Sequence, residues 1–140
     1  MRPELDAALV RDFPRLYRDR HGDPIETSMC YGFPGDGWEP LIRRLSEKLE
    51  PIARETDLHT VQVKEKFGGL RFYVNGSRKL LSEVSETLYA AIHVAEEEAF
   101  RTCEHCGAPG STENVSKSWL ATLCTACHER EVAHRAASRP

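Results

Sequence analysis

Apolar residues return every three or four positions through the first third of the chain. Leu5, Leu9, Phe13 and Leu16 or Tyr17 do so over residues 4–17, the stripe of an amphipathic helix that Pro14 should end or kink. Residues 18–36 are rich in Gly, Pro and Asp and read as loop. Trp38, Leu41, Ile42, Leu45, Leu49 and Ile52 then form a second apolar face. Pro40 suits the first turn of that helix, where its missing N–H is no loss, and Pro51 is predicted to bend or break its far end.

The period then changes to two. Val61 and Val63 alternate with polar residues, as do Leu70, Phe72 and Val74, with the Gly68-Gly69 pair between them. Residues 59–76 therefore read as a β-hairpin with paired residues at 60–75. A lone hairpin is marginal in water and must pack on a helix. The expected partner is Lys79–Thr102, where Leu81, Val84, Leu88, Ala91, Ala95 and Ala99 recur at helical spacing. The pattern predicts an α+β fold in which about three helices enclose a small antiparallel sheet of two or three strands. Residues 1–100 form the core and 101–140 a docked C-terminal module, in one compact unit, with a short final helix at Ala126–Ala137.

Cysteine spacing supplies the chemistry of that module. Cys103-x2-Cys106 and Cys124-x2-Cys127 stand 17 residues apart, inside the range in which two such turns complete a tetrahedral four-cysteine zinc site. Gly107 suits a knuckle turn with positive φ, and Pro109-Gly110 turns the chain into the intervening loop. The competing readings are two disulfides, which need an oxidising compartment, and a redox Cys-x2-Cys, which is single and follows a βαβ pattern. Neither context is visible, so one structural Zn2+ is the expected cofactor. His105 and His128 flank ligand positions and are read as lying outside a filled thiolate shell. A closed four-thiolate site has no open position for water or substrate, so the ion should fold the chain rather than catalyse. Cys30, the fifth thiol, lacks a nearby His, Asn or Asp arrangement in sequence and reads as unreactive.

Charge changes the picture locally rather than globally. The 140 residues carry a formal charge of -3, without the basic field of a dedicated nucleic-acid binder. No apolar run reaches the roughly 20 residues that span a bilayer, and the charged N-terminus does not read as a signal peptide. The expectation is a soluble cytoplasmic protein with no membrane partner. Within residues 60–79, Lys64, Lys66, Arg71, Arg78 and Lys79 face only Glu65, a net +4. Over residues 80–102, Glu83, Glu86, Glu96, Glu97 and Glu98 face only Arg101, a net -4. Either the two elements are neighbours whose solvated rims neutralise each other, or the hairpin offers a basic face with Phe67 and Tyr73 to an acidic partner. The run Glu96–Glu98 is a weaker candidate surface that could imitate phosphates.

Catalytic constellations are poorly supported, and the expectation is no enzyme. His93 and Glu97 stand four apart once only, where a carboxylate-bridged di-metal site needs such a motif twice. Gly35-Asp36-Gly37 lacks the strand and the lysine of a phosphate loop. A ββα-metal nuclease needs a histidine base between or just after the cysteine pairs, and residues 107–123 contain Asn114 but no histidine. The string from Lys66 to Tyr73 superficially resembles an RNA-recognition-motif strand, but the βαββαβ order is missing.

The combination of Gly32-Phe33 and Gly35-Asp36-Gly37-Trp38, then VKEKFGGLRFYV, then TCEHCG and TLC-x2-C resembles a family of small zinc-ribbon proteins of unknown function. That family is associated with bacteriophages, prophages and mobile elements. The resemblance spans roughly residues 28–128 and carries no catalytic mechanism. It implies a small accessory protein of the bacterial cytosol that binds a host protein, for example to inhibit a defence complex. Two readings follow. The first is a non-enzymatic protein-binding module with candidate contacts Lys64, Lys66, Phe67, Arg71 and Tyr73, together with Glu96, Glu97 and Glu98. The second is a weak, salt-sensitive nucleic-acid binder using the same hairpin. No small-molecule substrate is expected.

Overall fold

The first two helices each carry a proline in their first turn, where its missing N–H is no loss. The computed structural model describes residues 1–138. Helix α1 (Pro3–Asp12) has proline in its first turn and stops two residues before Pro14, earlier than the periodicity predicts. Phe13, Leu16 and Tyr17 are still buried because residues 13–21 continue as consecutive turns, Tyr17 N–H donating to the Phe13 carbonyl at 3.1 Å. The amides of Arg15 and Leu16, released from helical bonding, donate to the buried carboxylate of Glu50 at 3.1 and 2.8 Å. Buried donors need such partners, so Glu50, only 3% exposed, is the cap of this corner.

Two short 3-10 turns, Met29–Tyr31 and Asp36–Trp38, interrupt the expected loop. Helix α2 (Glu39–Glu55) follows with Pro40 in its first turn and buries Leu41, Ile42, Leu45, Leu49 and Ala53. Pro51 does not break it, contrary to the sequence expectation. Both Pro51 and Glu47, whose carbonyl loses a partner, face solvent, and water can take the place of the missing N–H while Leu49 and Ala53 hold the helix on the core.

Strands β1 (His59–Lys66) and β2 (Gly69–Asn75) pair antiparallel, with Val63 opposite Phe72 and Lys66 opposite Gly69. The two-residue turn is therefore Phe67-Gly68, one position earlier than the glycine pair suggested. Both central residues have positive φ, 54° and 81°, as a type I′ turn requires. Register slips between Thr60 and Gln62, and the Val61 carbonyl accepts the Ser28 amide at 2.9 Å, tying the 24–28 loop to the β1 edge. Helix α3 (Ser82–Ala99) packs on β2 and α2 through Leu88, Ile92, Ala95 and Ala99. The Glu96 carboxylate accepts the Phe72 amide at 3.2 Å and so caps the outer β2 edge.

The C-terminal part is a second hairpin, β3 (Ser111–Ser116) with β4 (Trp119–Leu123), followed by α4 (Thr125–Ala137). The architecture is α+β, with four helices and two separate two-stranded antiparallel sheets rather than one. Val115, Ala121, Leu123, Cys103 and Cys127 make a small apolar cluster apart from the main core, with Trp119 against it. No helix among the described residues is long and apolar enough to cross a membrane.

Candidate metal centre and hairpin face

Each cysteine pair is positioned by its own backbone. In the first, the Cys103 amide donates to the Ala108 carbonyl at 2.8 Å and the Gly107 amide returns to the Cys103 carbonyl at 2.9 Å. Gly107 adopts φ 83°, which closes the turn without a Cβ penalty. In the second, Cys124 is the N-cap of α4, and its sulfur accepts the Cys127 amide at 3.4 Å. That amide holds the Cys124 thiol well below its ordinary value, to about 7. Burial pushes the Cys127 thiol up, to about 12, and Arg130 one turn on opposes this by donating to its Sγ at 2.9 Å.

The four sulfurs lie within 4.8 Å of one another. Cys106 Sγ and Cys124 Sγ are 3.7 Å apart, close to the edge of a tetrahedron with metal–sulfur bonds of about 2.3 Å and far beyond a disulfide bond of about 2.05 Å. All five cysteines are free thiols. Cys103, Cys106, Cys124 and Cys127 are therefore positioned to hold one metal ion. His128 bonds the Asn114 carbonyl at 3.2 Å and His105 faces Glu131 at 3.8 Å, so both lie outside the thiolate cluster. Cys30 is remote, its sulfur on the Thr27 carbonyl. Trp119 packs beside the cysteine cluster with the Arg135 guanidinium 4.2 Å over its ring.

The knuckle sits on a seat that the sequence reading treated as plain loop. Gly37 N–H donates to the Glu104 carbonyl at 2.7 Å, Gly35 N–H to the Glu104 carboxylate at 3.0 Å, and Trp38 Nε1–H to the Thr102 carbonyl at 2.8 Å. A Cβ on Gly37 would overlap the Cys103 carbonyl and the Gly107 amide, both backbone. Burial raises the Glu104 carboxyl above its usual range, and the Gly35 amide opposes that. A second seat holds the first hairpin: Thr122 Oγ1–H donates to the Gly68 carbonyl at 2.6 Å and pairs with Thr112 Oγ1, also at 2.6 Å. No family model, curated protein or solved structure matches the chain.

The candidate contact residues of the hairpin share one face. Pairing sets Lys64 opposite Arg71 and Gln62 opposite Tyr73, with Lys66 in line, while Val63, Leu70 and Phe72 bury the other face. Phe67 projects from the tip, 69% exposed, with Lys66 Nζ 5.6 Å from its ring centroid. The acidic candidates are placed differently. Glu96 is engaged with Phe72, Glu98 pairs with Arg44 across α2 and α3, and Glu97 faces His93. Sequence reasoning missed Ile25. It stands 92% exposed on a turn fixed by its amide bond to the Asp23 carboxylate at 2.9 Å, and it borders the same groove as Gln62 and Tyr73. No periodicity marks an isolated loop residue of this kind.

Proposed function

We propose that the chain is a non-enzymatic protein-binding module whose C-terminal part is stapled by one Zn2+ on Cys103, Cys106, Cys124 and Cys127. The observation that carries this reading is the hairpin tip. Phe67 keeps a positive φ of 54°, which costs a bulky residue of order 1–3 kcal/mol, yet its side chain is left largely in solvent. The backbone beneath it is fixed by the Thr122 bond to Gly68 and by the Glu65 carboxylate, which accepts the Gly68 amide at 3.0 Å. Strain held in place to expose an aromatic ring supports a recognition role better than a packing role.

Zinc is the metal that a tetrahedral thiolate set without an open position suits best. When bound, it supplies a cross-link between the Cys103–Cys106 knuckle and the start of α4, and Arg130 offsets part of the negative charge. In the context of the phage- and mobile-element-associated family that the motifs resemble, the partner is a protein of the bacterial cytosol, and the effect is inhibition of a host defence factor. A weak nucleic-acid reading draws on the same basic face. It is the second choice because the adjoining ribbon carries Glu113 and, with four thiolates on Zn2+, a further net charge of about -2.

Affinity capture from bacterial lysate with the metal-loaded chain tests the proposal. A stoichiometric protein retained by the parent and lost with Phe67→Ala is expected. Recovery of none, or of nuclease-sensitive material only, would overturn it.

A further inference from the structure

Cations of the helical part are answered by carboxylates: Arg20 by Asp6, Arg43 by Asp12 and Glu39, Arg44 by Glu98 and Arg54 by Glu50. Among the described residues no carboxylate pairs with Lys64, Lys66 or Arg71, and the buried Nε of Arg71 has no hydrogen-bond partner. A buried donor left without an acceptor is costly and rare. Among the described residues no carboxylate of residues 80–102 forms an ion pair with this face: Glu96 accepts the Phe72 amide, Glu97 faces His93 and Glu98 pairs with Arg44. The three cations lie between exposed apolar side chains at the two ends of the hairpin. Phe67 marks the tip; at the other end Ile25, 92% exposed, and Tyr73, 45% exposed, stand on a mainly polar groove of about 330 Å³ that Glu26, Gln62 and Asn75 also line. From Tyr73 to Phe67 the strand runs about 20 Å.

We propose that this face binds an acidic polypeptide segment in which two or three carboxylates lie between apolar side chains about 20 Å apart. The inference rests on the protein-binding reading above and names the chemistry of the partner. Carboxylates meet Lys64, Lys66 and the terminal nitrogens of the half-buried Arg71 guanidinium, whose planar fork suits a bidentate acceptor. The apolar ends cover Phe67 at the tip and the exposed Ile25 and Tyr73 side chains at the other end. A peptide of this length fits better than a nucleic-acid strand for two reasons. Ile25 offers a base nothing to stack on, and the part that adjoins the tip through the Thr122–Gly68 bond holds the thiolate cluster, whose net charge is about -2 with Zn2+ bound.

The test is selection of random peptides of roughly 12 residues, about 20 Å long as a helix, from a display library on the zinc-loaded full chain. Anisotropy titrations then follow with the selected peptides and with single-stranded oligothymidylate. Enriched peptides should be acidic with apolar residues towards both ends. Their affinity should fall with salt, and should drop roughly tenfold or more for Lys64→Glu/Lys66→Glu and for Ile25→Asp; Lys66 and Ile25 are exposed and Lys64 half-buried, and unchanged melting curves certify the fold. Arg71→Glu should do the same wherever it folds. Enrichment of neutral or basic peptides, of binders indifferent to these substitutions, or tighter binding of oligothymidylate would overturn the inference. Binders that ignore this face would leave the protein-binding reading standing. Absence of any peptide or protein binder would end both.

Discussion

Thr122→Val tests whether the two hairpins are joined as described. Thr122 is fully buried, and its hydroxyl is the donor to the Gly68 carbonyl at 2.6 Å and the partner of Thr112 at 2.6 Å. Valine keeps the shape and removes the proton. The loss comprises one hydrogen bond of about 1 kcal/mol and a buried carbonyl left unpaired, at about 1–3 kcal/mol, while Thr112 can turn towards water. The expected destabilisation is about 2–4 kcal/mol, or a fall in Tm of roughly 6–15 °C for a chain of this size. Urea unfolding followed by circular dichroism measures it, provided the m-value is unchanged. Because Thr122 belongs to the metal-stapled unit, the difference between parent and variant should shrink to a few tenths of a kcal/mol once a strong chelator has removed the ion. A loss below about 0.5 kcal/mol with metal bound, or an equal loss with and without it, would refute the reasoning.

Other outcomes follow from the same geometry. Chelation should melt residues 101–138 while α2, α3 and the first hairpin keep their amide protection, measured by hydrogen exchange; an unchanged C-terminal part would count against a structural ion. Gly37→Ala, which places a methyl on the knuckle backbone, should weaken metal affinity at least roughly tenfold in competition with a chromophoric chelator, although no ligand is altered. Arg130→Met should cost about 10–100-fold in the same assay by removing the donor to Cys127 Sγ. Phe67→Asn should raise stability by about 0.5–1 kcal/mol, since asparagine accepts the positive φ of a type I′ turn, and should abolish partner binding.

What could be read from sequence were the features with a short-range signature. The apolar face of α2, the alternation around the first hairpin and the two Cys-x2-Cys turns each encode themselves within a few residues. The second hairpin does not. Ser111–Ser116 is polar with one buried residue, Val115, and its strand character comes from packing against the metal cysteines. Pro51 misled because propensity cannot tell that the orphaned carbonyl faces water. The turn shift to Phe67-Gly68 was hidden by the glycine pair, whose second member is instead held against the Phe100 ring. Gly35, Gly37 and Glu50 looked ordinary because their roles depend on residues far away in the chain.

That distance has a kinetic consequence. The bonds that seat the metal knuckle, Gly35 to Glu104 and Trp38 to Thr102, close loops of 69 and 64 residues, whereas the two hairpins close across two residues each. Contacts of long sequence separation require chain closure before they contribute any stability. The local elements can therefore form early, the ion is captured between knuckles whose facing cysteines, Cys106 and Cys124, are 18 residues apart, and docking of the closed knuckle on its glycine seat is the slowest closure. The last refolding phase should then quicken with free zinc concentration until closure itself is limiting. A cell poor in zinc would hold this protein as a half-assembled chain with its glycine seat bare.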